Sequence, residues 1–163
     1  MGGANQANVN YLTNLGHRLC SENLLQALDE ICNTPNLSES RKISEFLEET
    51  LNYQASSIGG VLLWEGLQYL PATVLEAFVH RLHLLLQRDA PIFMVFHAED
   101  RSHVVPTYAY RILDSHTIQL SPRGLRSRAR TFSNRSLETL FQDFQSVKFF
   151  LTRDHFREVL IRR

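Results

Sequence analysis

Apolar positions along this chain follow two periods, one typical of helices and one typical of strands. Spacing by three and four residues predicts amphipathic helices over 8–15, 22–31 and 38–53. A short strand is predicted over 17–20, and continuous apolar runs at 61–64 and 92–96 have the length and composition of buried parallel strands. The first half of the chain therefore alternates between helices and strands.

The segment between the two apolar runs predicts another helix. Pro71 precedes Thr73 and Glu76, which have the spacing of a capping box at a helix start. Further along, alternating apolar residues on both sides of a short turn predict an antiparallel hairpin over about 107–120.

The chain closes with a helix and two strands. We expect the helix to be capped by Ser133 or Asn134, and the strands to lie near 147–151 and 157–161. This order predicts an α/β fold in a single domain over 1–163. We expect a three-layer Rossmann-like sandwich, mostly parallel, with an antiparallel C-terminal pair.

Composition fits a globular protein rather than a membrane or disordered one. The 163 residues are 44% apolar and 21% charged, and no apolar run approaches the length of a membrane span. Cys20 and Cys32 do not form a C-x-x-C pair, which favours buried reduced thiols in a reducing, cytoplasmic compartment.

Charge is divided unevenly, although the net charge is zero. Of 17 basic residues, 12 follow residue 100, and of 17 acidic residues, 12 precede residue 101. The arginine-rich run 123–130 could hold phosphate, but it contains no aromatic residue for base stacking. Two complementary surfaces within one fold are favoured over a nucleic-acid partner.

Two further motifs bear on ligand binding. Gly2, Gly3 and Asn5 open a small-residue loop before the first helix, a composition that lets the backbone approach a ligand. Glu22 follows about 20 residues later, at the spacing from which an acidic side chain accepts hydrogen bonds from ribose hydroxyls.

The segment 60–70, reading Gly-Val-Leu-Leu-Trp-Glu-Gly-Leu-Gln-Tyr-Leu, resembles the fourth-strand motif of class I S-adenosylmethionine-dependent methyltransferases. The segment 84–97 resembles that family's turn into its fifth strand. The last two predicted strands match its closing sixth and seventh strands, so the resemblance spans nearly the whole chain. The family's first strand has no counterpart here, and we expect it to be missing.

The resemblance implies methyl transfer from S-adenosylmethionine to a small-molecule or protein acceptor. It places Gly2, Gly3, Asn5, Glu22 and Trp64 against the cofactor. Candidates for a catalytic base, chosen by their location at strand ends, are Glu65, Tyr69 and His97.

Each of these residues also has a structural interpretation. Glu22 could cap a helix, Trp64 could pack in the core, Glu65 could cap the next turn, and His97 could be a structural residue at a strand edge. His80 and His83 are three residues apart on one helix, but a solvated face is favoured over a metal site, so no metal is expected.

A missing first strand suggests a second function. The chain could be an inactive methyltransferase-like module for binding or assembly. An open central sheet edge would then allow a homodimer to form.

Overall fold

A computed structural model of the protein describes residues 5–97, 102–154 and 156–163. The helices are α1 (Gln6–Asn14), α2 (Leu24–Cys32), α3 (Glu39–Thr50), α4 (Ala72–Leu85) and α5 (Asn134–Leu140). The strands are β1 (Val61–Trp64), β2 (Pro91–His97), β3 (Val104–Ile112), β4 (Ile118–Ser127), β5 (Ser146–Leu151) and β6 (Phe156–Arg162). A 3₁₀ turn, Gly66–Tyr69, connects β1 to α4.

Polar side chains begin most of the helices. Asn23 caps α2 by accepting a hydrogen bond from the Gln26 amide at 3.3 Å, and Ser38 caps α3 in the same way. Ser133 caps α5 and forms a reciprocal capping box with Ser136. These caps confirm the helices predicted from apolar spacing, with ends that shift by one to three residues.

The start of α4 differs from the prediction. Pro71 is its N-cap residue and no side chain completes the cap, so the predicted capping box of Thr73 and Glu76 is wrong. Thr73 lies within the first helical turn instead of preceding it. Its side chain therefore cannot take the N-cap position, where the backbone is still extended.

The strand predicted over 17–20 is also wrong. These four residues have no regular secondary structure and are exposed. Gly16, with φ of 86°, ends α1 in the left-handed region, as predicted from its position.

A four-stranded sheet has the order β1-β2-β6-β5. Strands β1 and β2 pair in parallel, while β6 is antiparallel to both β2 and β5. The predicted antiparallel C-terminal pair is confirmed. Parallel pairing between named strands is restricted to β1 and β2 in the described residues, so the mixed sheet is less parallel than expected.

The main core lies on one face of this sheet. Buried side chains from α2, α3, α4 and α5 pack there with Ile92, Met94, Phe96, Val159 and Ile161. The opposite face carries Leu62 and Phe150, which are 41% and 51% exposed. Helical packing on one face accounts for the core, and the predicted three-layer arrangement is not confirmed.

Strands β3 and β4 form a separate two-stranded antiparallel sheet. It extends well beyond the predicted 107–120, from Val104 to Ser127. Pro122 and Gly124 interrupt the sequence alternation in β4, which explains why its second half was not predicted. Tyr108 and Tyr110 project from one face of β3, where they contact residues of the four-stranded sheet.

Two other findings concern the surface. No helix in the described ranges is long and apolar enough to cross a membrane. Cys20 and Cys32 are free thiols, but both are exposed, so their predicted burial is wrong.

Candidate functional site

The carboxyl end of β1 has an unusual backbone. Trp64, its last residue, has φ of 49°, and the pairing register with β2 shifts between Leu62 and Trp64. A bulky side chain in the left-handed region is strained, and such strain is concentrated at functional sites. The Trp64 ring stacks on Tyr110 at 4.7 Å between centroids, with an angle of 6° between the planes.

Glu65 comes directly after Trp64 and is only 1% exposed. Its Oε1 accepts a hydrogen bond from the Tyr108 amide at 3.3 Å, and its Oε2 accepts one from the Tyr110 hydroxyl at 3.1 Å. Burial raises the pKa of Glu65 to about 7, although both hydrogen bonds act in the opposite direction. The carboxyl group is therefore poised to exchange a proton near neutral pH.

Tyr69 and Gln68 are buried in the 3₁₀ turn beyond Glu65. The buried Tyr69 hydroxyl and Gln68 side-chain nitrogen interact with each other, and neither has a further hydrogen-bond partner among the described residues. Buried polar groups are normally paired, and this contact pairs the two groups with each other. Burial, followed by the charge of Glu65, raises the pKa of Tyr69, which is therefore a hydrogen-bond donor at neutral pH and not a base.

We call Trp64, Glu65, Gln68, Tyr69 and Tyr110 the carboxyl-edge cluster. Glu65 is at the N-cap position of the 3₁₀ turn, but its side chain makes no capping hydrogen bond. The alternative that Glu65 caps this turn is therefore wrong. Trp64 is half-buried and lies outside the core clusters of buried residues.

His97 ends β2 and is connected to this cluster through the hairpin. Its ring lies 5.6 Å from that of Tyr108 and 4.7 Å from that of Phe156. The Tyr108 backbone reaches Glu65, so β3 bridges the ends of β1 and β2. The three predicted base candidates thus belong to one region, with His97 packed among aromatic rings at its border.

The residues predicted to contact the cofactor are less closely grouped than these three base candidates. Gly2 and Gly3 lie outside the described residues. Asn5 is the N-cap of α1, where its Oδ1 accepts a hydrogen bond from the Ala7 amide at 2.9 Å. This contact occupies the Asn5 side chain in a structural role.

Glu22 is exposed, and its Oε1 accepts a hydrogen bond from the Tyr53 hydroxyl. The cap of α2 is Asn23, so the alternative that Glu22 caps this helix is wrong. Burial and the neighbouring carboxylate both raise the pKa of Tyr53, which keeps its hydroxyl protonated as a donor. The Glu22 carboxylate is exposed, so it can accept further hydrogen bonds from a ligand hydroxyl.

Asn8 connects α1 to the hairpin and was not predicted as a site residue. Its side chain donates to the Tyr110 carbonyl at 2.8 Å and accepts from the Ile112 amide at 2.7 Å. The side-chain amide thus pairs with the edge of β3 as a neighbouring strand would. Its partners lie more than 100 residues away, so no local sequence signal indicates the contact.

Tyr108 and Tyr110 were also missed, although a signal was present. In a strand, residues two apart project from the same face, so an aromatic at both positions predicts one aromatic surface. The sequence analysis used this segment only to predict the hairpin.

The arginine-rich run is dispersed by the fold. Arg126 forms a two-pronged ion pair with Asp29, with nitrogen–oxygen distances of 3.1 and 2.5 Å, and its guanidinium lies 5.5 Å from the Tyr69 ring centroid. Arg128 is buried. Of the four arginines in this run, only Arg123 is exposed, whereas Arg126 and Arg130 are half-buried. Within the described residues, no group of three or more His, Cys, Asp or Glu side chains is arranged to hold a metal ion.

Comparisons with known proteins give a distant structural likeness. No protein-family model matches the chain, and no curated protein matches it. A solved structure described as a SAM-dependent methyltransferase from Methanosarcina mazei aligns with 15% identity and a TM-score of 0.44. The alignment covers 70% of this chain and 63% of that one, so the chain spans less than two thirds of its length. A likeness this distant carries no argument about activity.

Proposed function

We propose that this chain is an S-adenosylmethionine-dependent methyltransferase domain whose acceptor site is the carboxyl-edge cluster. The observation that carries the proposal is Glu65, a buried acid with a pKa of about 7 directly after the strained Trp64. Open α/β sheets bind ligands at the carboxyl ends of their strands, which is where this pair lies. Perturbed acids at such positions are candidates for functional groups.

The chain has donors and acceptors that such a ligand requires. Tyr69 and Gln68 offer a hydroxyl and an amide to the acceptor at this edge, and Glu22, in the segment before α2, offers an exposed carboxylate to a ribose hydroxyl. When bound, S-adenosylmethionine supplies an electrophilic methyl group. Glu65 takes the proton that a hydroxyl, thiol or ammonium acceptor must lose before or during methylation. The acceptor must also be held in line with the methyl group, and the rigid aromatic side chains beside Glu65 support that positioning.

Calorimetric titration of the folded protein with S-adenosylmethionine and S-adenosylhomocysteine tests this function. We expect saturable binding that Glu22→Gln weakens about tenfold, the effect of losing one hydrogen bond to a charged group. Glu138→Gln is the matched control, because Glu138 is an exposed acid on α5. A folded protein that releases no binding heat with either ligand would rule the proposal out.

One observation favours a second candidate, the inactive binding or assembly module. Both oxygens of Glu65 already accept hydrogen bonds from β3, so the hairpin covers the group that catalysis would use. In this case the open edge of β1, which pairs with β2 alone among the described strands, would recruit a second copy. A dimer in analytical ultracentrifugation, together with a null cofactor titration, would favour the module over the enzyme.

A further inference from the structure

A groove of about 510 Å³ runs between α4 and α5, and its lining residues are distinct from those of the carboxyl-edge cluster. Its volume lies within the range of small-molecule sites. The apolar part of its lining consists of Leu75, Val79, Phe132, Leu140 and Phe144. Leu75 and Val79 are buried core residues, so this surface is fixed by the fold.

Arg130 is the arginine in the lining of this groove. It is half-buried, and its guanidinium carbon lies 5.9 Å from the centroid of Phe132. Its Nε atom is fully buried with no hydrogen-bond partner in the described part of the chain, and no ion pair is found for its side chain there. The Nε atom of nearby Arg157 is unpartnered too, but the other two nitrogens of that guanidinium donate to Asn134 and to the Phe132 carbonyl.

A buried guanidinium N–H without an acceptor is costly, because burial removes water without replacing its hydrogen bond. An anionic group on a ligand would supply the missing acceptor. Arginine is well suited to this role, because its planar fork matches the two oxygens of a carboxylate.

The backbone beside this guanidinium is held in place. The amides of Ala129 and Arg130 both donate to the Gln68 carbonyl, at 2.9 and 3.2 Å. The capping box of Ser133 and Ser136 then fixes the start of α5 three residues later. A site with a fixed backbone loses little conformational entropy when it binds a ligand.

The remaining titratable groups of the groove limit the charge of the ligand. Glu76 and Asp143 line it as exposed carboxylates, and His80 and His83 lie between them on the same surface. Two exposed acids repel a multiply charged anion such as inorganic phosphate. An apolar body with one negative charge satisfies both the lining and Arg130.

We propose that the groove between α4 and α5 binds a small organic monoanion, with its anionic group on Arg130 and its apolar or aromatic body against Phe132 and Leu140. This site uses residues distinct from those of the carboxyl-edge cluster. Its ligand class is the aryl or alkyl carboxylates and sulfonates.

Fluorescence titration with 8-anilinonaphthalene-1-sulfonate, an aromatic monoanion, tests the site on the full chain. We expect saturable binding that 3-phenylpropionate displaces and inorganic phosphate does not. Arg130→Gln should weaken binding about tenfold, since a hydrogen bond to a charged group contributes about 1.5–3 kcal/mol. Arg123→Gln, which removes an exposed arginine outside the groove, should leave it unchanged.

A second variant tests the groove by its shape, without changing its charge. Thr139→Phe adds a ring at an exposed position in the groove lining and should also weaken binding. Near-ultraviolet circular dichroism confirms that each variant keeps its packing. Affinity of a folded Arg130→Gln variant within twofold of the parent, or absence of saturable binding to the parent, would overturn the proposal.

Discussion

At Glu65, burial and hydrogen bonding act in opposite directions on the pKa. Removal from water favours the neutral acid, whereas the Tyr108 amide and the Tyr110 hydroxyl favour the carboxylate. Burial is the stronger effect, and it raises the pKa to about 7 from an ordinary value of 4.5. The folded protein therefore binds this proton more tightly than the unfolded chain does.

This difference predicts how stability depends on pH. Because the folded-state pKa is raised, stability falls as pH increases from about 4.5 to about 7. At about 1.4 kcal/mol per pH unit, the loss due to Glu65 is roughly 3 kcal/mol. Urea unfolding at about pH 5 and about pH 8 measures it.

Glu65→Gln should remove this loss, because glutamine does not titrate and the Tyr110 hydroxyl can rotate to accept from the new amide. Subtracting the two pH profiles cancels the contribution of the histidines. Glu138→Gln, on the exposed side of α5, should keep the parent profile. If the Glu65→Gln profile has the same slope as the parent profile, the pKa assigned to Glu65 is wrong.

At the scale of elements, the starts of α4 and α5 illustrate what sequence spacing can and cannot predict. Both Ser133 and Thr73 precede apolar helical runs, and both have a polar residue three positions later. The structure uses the first as a cap and starts α4 two residues too early for the second. Local spacing identifies the helix, whereas the packing of the preceding turn decides where it begins.

These two sites predict different responses to alanine. Ser133→Ala removes hydrogen bonds at the start of α5 and should lower the free energy of unfolding by about 0.5–2 kcal/mol. Thr73→Ala removes no cap and should change it by less than about 0.5 kcal/mol. Thermal or urea unfolding of both variants measures the difference. Equal losses would mean that α4 is capped by Thr73 after all.

The attachment of α1 to the hairpin depends on Asn8. Its two hydrogen bonds satisfy the Tyr110 carbonyl and the Ile112 amide at the edge of β3. Asn8→Ala should cost about 1–3 kcal/mol, because both backbone groups lose their partner. Hydrogen exchange should show a specific loss of protection at the Ile112 amide.

Asn10→Ala provides the matched control, because Asn10 is exposed and its side chain accepts a hydrogen bond from Gln6 within the same helix. It should leave the exchange of Ile112 unchanged. Equal protection of Ile112 in the parent and in Asn8→Ala would show that α1 does not hold the edge of β3.

At the scale of the whole molecule, the order of elements was predictable and their arrangement was not. Strands β1, β2, β5 and β6 were expected from short apolar runs, and they occur with nearly the expected bounds. The hairpin contacts to Glu65 span more than 40 residues and depend on the folding of the hairpin over the sheet. Periodicity carries no information about such contacts, because it reports only which face of each element is apolar.

The same distinction applies to the candidate site. Location at strand ends brought Trp64, Glu65 and Tyr69 into one prediction, and the structure places them in one cluster. The cofactor residues were inferred from family resemblance, and of these Asn5 has a capping role and Glu22 binds Tyr53. Strand topology therefore predicted neighbouring residues, while their individual roles depended on tertiary contacts.

The central claim is that the carboxyl end of β1 is a ligand site, and the only tryptophan of the chain lies there. The most direct measurement is therefore the emission of Trp64 during titration with S-adenosylhomocysteine. We predict a saturable change in emission that Glu22→Gln shifts to about tenfold higher ligand concentration. An emission spectrum of the folded protein that stays unchanged up to millimolar ligand would contradict the claim.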